Sequence, residues 1–351
     1  MLQISFREFY LENILDFLWR QWSAIGVAGS SRTEDIWTID PEALIIFSLQ
    51  KARYEPRLFD EILDWLVVNG KWIDIQRLRG IIKTKDESTR RLLSAVSAFL
   101  CDQQGAFKRK WRTLSVFYDS NAESPKEDTL FISKSESAWL KPKEAHPIFK
   151  EYGFIREKIS LRRMTKPVPI TLKSNIRFLL RSLFGIGSRA ECMLYLLTHE
   201  AGHPSEIAKA VGISVMAIRN ALFELAGSGL ILTRQKGKRR IEYWLSQKRW
   251  WEFLSGSNFN DIKMPVWLDW ISLFSALDAV WNVLKEVEMT DSRYLRSSKL
   301  REAMETISGE FSKSGLDLPA MPNQNVPPER YEEEFKIFIT KVLGARSGPN
   351  Q

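Results

Sequence analysis

Between Ser188 and Leu254 the apolar residues change their spacing from helical to alternating, which leaves few folds open to this segment. The run HPSEIAKAVGISVMAIRNALFELAGSGLI reads as a short helix, a tight turn and a longer second helix. Ala208 is small enough for the two helices to approach, and Gly212 can adopt the positive φ that ends the first of them. Ile213 and Ile218 close the small core between the helices, and Ser214 supplies an N-cap for the second. Beyond it, Leu230 to Arg234 and Arg240 to Leu245 flank the loop Gln235-Lys236-Gly237-Lys238-Arg239, a pattern that fits a two-stranded hairpin with a glycine in its turn.

Charge follows that pattern. Arg234, Lys236, Lys238, Arg239 and Arg240 crowd the hairpin, and such a cluster is what a phosphate backbone attracts. The second helix turns Ile218, Leu222 and Leu225 into its own core, which leaves Val215, Met216, Ala217, Arg219 and Asn220 facing outward behind Ser214. Arg219 and Asn220 are the candidates for reading bases, because a guanidinium suits guanine and a carboxamide suits adenine in the major groove.

Residues 188–254 resemble the winged helix-turn-helix regulators of the ArsR and MarR kind, in which a recognition helix is followed by a Gly-Leu-Ile step, a charged wing and a further strand. Ser228-Gly229-Leu230-Ile231 occupies that step here. The resemblance implies sequence-specific binding of double-stranded DNA and regulation of transcription, with Ser214, Val215, Met216, Ala217, Arg219, Asn220 and the five wing cations as contact residues. Winged helices also dock proteins, so a protein-interaction module is the alternative.

A rival motif lies in the same segment. His199-Glu200-Ala201-Gly202-His203 matches the pattern in which two histidines one helical turn apart bind zinc and a glutamate acts as base. That chemistry needs an unbroken helix, whereas Gly202 weakens it and Pro204 clashes with the preceding turn. Pro204 is better placed as the first residue of the next helix, with His203 near its N-cap and Glu206 in its first turn. The third histidine, His146, is far upstream. A zinc hydrolase is therefore disfavoured, and with no phosphate-binding glycine loop or nucleophile elbow we expect neither an enzyme nor a cofactor.

The 351 residues suffice for two or three domains, and a net charge of +8 suits a nucleic-acid partner without requiring one. Other basic runs are Lys108-Arg109-Lys110 with Arg112, and Arg156 to Lys166. Cys101 and Cys192 have no paired spacing and read as small apolar residues of a reducing compartment. Glu8, Glu12 and Asp16 in the first helix are unlike a secretory leader, and Asp269 and Asp278 interrupt the most apolar segment, so cytoplasm is the expectation and a membrane partner is not.

The expected architecture is mostly α: an N-terminal helical domain over 1–120, an irregular connector over 121–180, a winged helix-turn-helix domain over 181–254, and a helical region over 255–345. Asp40-Pro41 and Glu55-Pro56 mark helix starts, and Asn69-Gly70 a stop. Gln76-Arg77-Leu78-Arg79 reads as packing rather than a second DNA-reading motif. Trp250, Trp251 and Phe253 are expected to fold back onto the winged domain. The wide face of Trp267, Trp270, Ile271, Phe274, Leu277, Trp281 and Leu284 must be covered, either within the chain or by the same helix of a homodimer partner. Arg346 to Gln351 reads as disordered.

Overall fold

Short polar side chains set directly ahead of apolar runs start many of the helices in the computed structural model, which describes residues 5–29, 37–103, 108–117, 127–134, 142–237, 240–256 and 264–345. Of the described residues, 65% are helical. In order, the elements are α1 (Phe6–Ala24), α2 (Pro41–Lys51), α3 (Pro56–Asn69), α4 (Ile75–Ile82), α5 (Glu87–Asp102), α6 (Lys108–Ser115), β1 (Asp128–Thr129), α7 (Pro147–Glu151), β2 (Phe154–Ile155), α8 (Ile176–Phe184) and α9 (Ser188–Thr198). There follow α10 (Pro204–Val211), α11 (Val215–Gly227), β3 (Leu232–Lys236), β4 (Arg240–Trp244), α12 (Gln247–Ser255), α13 (Trp270–Glu288), α14 (Arg293–Ser314) and α15 (Pro328–Ala345). Asp40 accepts the Ala43 N–H at 3.1 Å with Pro41 at the first helical position, and Asp74 accepts the Gln76 and Arg77 N–H groups at 3.0 Å, so each satisfies donors that a helix start leaves open. The strands form two small ladders, β1 with β2 parallel and β3 with β4 antiparallel. Among the described residues no single helix is long and apolar enough to cross a membrane. Residues 346–351 lie outside the described residues.

The described residues fall into two compact units, one drawn from those within 1–19, 132–137 and 268–351, the other from those within 20–131 and 138–267. In the first, the aromatic face of α13 is covered within the chain by α1 and α14. Tyr10 stacks on Trp281 and its hydroxyl donates to the Leu277 carbonyl at 2.8 Å, while Phe17 stacks on Trp270. A second copy is not needed to cover that face. Trp267 does not belong to it, for the helix starts at Trp270, capped by Asp269, and Trp267 sits against Tyr195 and His199 in the other unit.

The larger unit is organised by buried charge. Arg181 of α8 forks onto Glu42 at 2.7 and 2.9 Å, reaches Glu191 at 2.8 Å and donates to the Trp72 carbonyl at 2.7 Å. Arg177, one turn earlier, meets Asp40 at 3.1 Å and Glu191 at 3.2 Å. Arg77 of α4 binds Asp40, Glu42 at 2.7 Å and the Val211 carbonyl at 2.6 Å. Arg77 therefore packs inward, as expected of its segment.

All six charged side chains are buried. Burial alone would raise the Asp40 carboxyl, but the Arg177 and Arg77 guanidiniums outweigh it and hold the group well below the usual carboxylate range. Glu42 is lowered in the same way, burial being outweighed first by Arg181. These carboxylates therefore stabilise the fold above the unfolded-chain value of about 4, and that contribution fades as pH falls toward their lower folded values. Arg181→Ala should lower the unfolding free energy by ~3–5 kcal/mol, because it strands Glu42 and Glu191 in the interior, and should move acid unfolding to higher pH. Urea titrations across the acid range check both effects; wild-type midpoints in the variant would mean that the network does not hold the unit together.

Candidate nucleic-acid interface

Helices α9, α10 and α11 close around Leu194, Ile207, Val211, Ile218, Leu222 and Leu225, and Ile231, Leu245 and Trp251 complete this core. The chain turns by 119° between α10 and α11. Gly212, at φ 70° and ψ 35°, occupies the left-handed region that a side chain resists, and this lets α10 stop and the chain turn within Gly212-Ile213-Ser214. Ser214 then caps α11, its hydroxyl accepting the Ala217 N–H at 3.3 Å.

Upstream, α9 ends at Thr198 and His199 is extended. Pro204 is the first residue of α10, His203 caps it, and Glu206 reaches back to the His203 N–H at 3.0 Å. The two histidines therefore do not share a helix, and the geometry of the zinc motif is not formed. His199 instead stacks face to face on Tyr195 at 3.9 Å, with Nδ1 2.9 Å from the Tyr195 carbonyl, and burial pushes its pKa down. Gly202 exchanges two 2.9 Å backbone hydrogen bonds with Tyr243, which fastens the hairpin to the segment ahead of α10.

On α11, Ser214, Val215, Met216, Arg219 and Asn220 are exposed together, while Ala217 is half-buried. Phe223, 75% exposed, lies on the same face. Its spacing of four from Arg219 and seven from Met216 is the signal that places it there, and the sequence reading passed it over. On α12, Trp251 is buried and Trp250 packs against the core, but Phe253 is 68% exposed, so only two of the three aromatics fold back as expected.

The hairpin differs most from its sequence picture. Arg234, Lys236 and Arg240 share one face with Glu242, which is buried at their centre and lies 3.1, 3.2 and 3.3 Å from them in turn. Arg234 also meets Glu200 at 2.8 Å, and Arg240 meets Glu206 at 2.5 Å. Donating hydrogen bonds to these carboxylates raises both guanidiniums further. Burial would raise Glu242, yet Lys236 and Arg234 hold it below its usual value. Three of the five expected wing cations are thus matched inside their own domain. Lys238 and Arg239 lie outside the described residues. A phosphate that reaches Arg234, Lys236 or Arg240 therefore competes with carboxylates already in place. The opposite face of the hairpin carries Ile241, 51% exposed. Of the upstream basic run, Arg156 is no surface charge, since it is buried over Phe59, Phe131 and Phe149 and pairs with Asp60 at 2.8 Å.

Comparison with protein-family models, curated proteins and solved structures finds no match, so the functional reading rests on this geometry. The clamp at Gly202 offers a direct check on it. A Cβ there would lie 2.6 Å from Tyr195 Cε1 and 2.8 Å from Ile207 Cγ1, both in the packed core. Gly202→Ala should cost roughly 1–3 kcal/mol by overpacking. Gly227→Ala, with nothing within 4 Å and a helical backbone, should be neutral or stabilising by up to about 1 kcal/mol. Thermal unfolding of the two variants separates these outcomes.

Proposed function

We propose that residues 188–254 form a winged helix-turn-helix domain that binds double-stranded DNA sequence-specifically, and that the protein regulates transcription as the ArsR and MarR regulators it resembles do. One observation carries the reading: Val215, Met216, Arg219 and Asn220 stand exposed on the first two turns of α11, whose other face is core, after a 119° turn from α10. Helix-turn-helix pairs cross at about 90–120° and present the start of the second helix to the major groove. In this arrangement Arg219 and Asn220 read base edges, Ser214 and Ala217 sit at the helix start, and the wing follows the phosphates.

A protein-docking role is the second reading, favoured by the exposure of Met216, Phe223 and Ile241, at 62%, 75% and 51%, and by the carboxylates that neutralise the described wing cations.

Selection of bound sequences from a random DNA pool decides between them, enrichment of a motif supporting DNA reading and its absence supporting docking. With a preferred site in hand, Arg219→Ala should cost about 1–3 kcal/mol on that site and much less on random DNA. Glu200→Gln should act in the opposite sense and on every sequence alike. It releases Arg234 from one partner, so affinity should rise and the salt slope steepen by up to about one unit. If neither substitution changes DNA affinity at any salt concentration, the DNA reading fails.

A further inference from the structure

A cavity of about 150 Å³, lined by Arg57, Asp60, Glu61, Asp64, Ser160 and Arg162, lies between α3 and the segment that follows β2. Glu61 and Asp64 line it while being only 4% and 1% exposed. Asp64 spends one oxygen on the N–H groups of Met164 and Thr165, at 3.1 and 3.4 Å. Between those amides and Arg162, Arg163 holds φ at +54°, a backbone position that a non-glycine residue rarely takes. The other oxygen of Asp64, Oδ1, has no hydrogen-bond partner, and neither has Oε2 of Glu61. Arg162 stands 3.7 Å from Glu61 Oε1, too far for a hydrogen bond, with its guanidinium 61% exposed.

Two buried carboxylate oxygens without a donor are costly, and what they lack is a small group rich in N–H bonds. An ammonium supplies three donors and a positive charge. Asp60 is already matched by Arg156 at 2.8 Å, which leaves Glu61 and Asp64 facing Arg57 and Arg162, a balanced lining that a ligand of no net charge leaves balanced. Its volume matches cavities that hold a ligand the size of benzene, roughly six heavy atoms. Among the described residues no three acidic, histidine or cysteine side chains converge as a metal would need.

We propose that this cavity binds a small zwitterion of the α-amino-acid class, its ammonium on Glu61 and Asp64 and its carboxylate on Arg162. The site does not depend on DNA binding. Burial, reinforced by Asp64 and Asp60 against the pull of Arg162 and Arg57, pushes the Glu61 carboxyl up, and because an ammonium is held by the carboxylate form, binding should tighten as pH rises through the Glu61 titration.

Calorimetry of the full chain with glycine, L-alanine and L-serine tests the proposal, with ethylamine, propionate and magnesium chloride as controls. Amino acids should bind, ethylamine more weakly, and propionate not at all. Glu61→Gln should weaken amino-acid binding at least about tenfold. Arg162→Ala, compared at temperatures where its thermal unfolding shows it folded, should bring amino acids down to the level of ethylamine. Absence of binding by all three amino acids, unchanged affinity in Glu61→Gln, equal affinity for ethylamine and alanine, or saturable magnesium binding in their place would each overturn it.

Discussion

A guanidinium or carboxylate can be buried only when its charge and its hydrogen-bonding atoms are matched, and Asp40, Glu42, Arg77, Arg177, Arg181 and Glu191 match one another across α2, α4, α8 and α9. No member can be satisfied unless the others are in place, so the network selects one mutual arrangement of those helices even if its net contribution to stability is small. It also reaches the segment proposed to read DNA. The Val211 carbonyl, left open at the end of α10, is closed by the Arg77 guanidinium, so the turn into α11 is fixed by a helix more than a hundred residues earlier in the chain. The three helices of that segment are thus part of a larger body rather than a module on a linker.

What could be read from the sequence was local. Pro41, Pro56 and Pro204 begin helices, Gly212 ends one, and the His203–Glu206 capping box dissolves the apparent zinc motif, because each signal acts within a few residues. The ion network is the opposite case. Its members are up to 151 positions apart and look like ordinary surface charges until the fold brings them together. Arg177 and Arg181 did carry a trace of it, since two arginines one turn apart interrupt the otherwise apolar IRFLLRSLF helix on the face that is buried. For α13 the aromatic stripe was plain and its cover was not: Tyr10 and Phe17 lie in the first helix of the chain.

The hairpin shows how a charge count along the sequence misleads. Five cations within seven residues suggest an open positive tip, but Glu200 and Glu206 arrive from outside the hairpin and Glu242 from within it. In a folded domain the field at the surface depends on such pairings rather than on composition. A partner phosphate must displace a carboxylate at Arg234 or Arg240, and the gain from releasing counterions is smaller than for an unpaired cation.

That pairing shifts where selectivity must come from under the DNA reading. Non-specific affinity grows with the number of phosphates neutralised, whereas discrimination grows with contacts to base edges. A wing whose described cations are already paired contributes little to the first, while α11 keeps Arg219 and Asn220 for hydrogen bonds beside the exposed side chains of Met216 and Phe223. Apolar side chains on a reading helix contact thymine methyl groups, so the face that favours protein docking on grounds of exposure is also one that can distinguish thymine from cytosine. Met216 and Phe223 then serve both readings, and the difference between them lies in what Arg219, Asn220 and the charge around the helix meet.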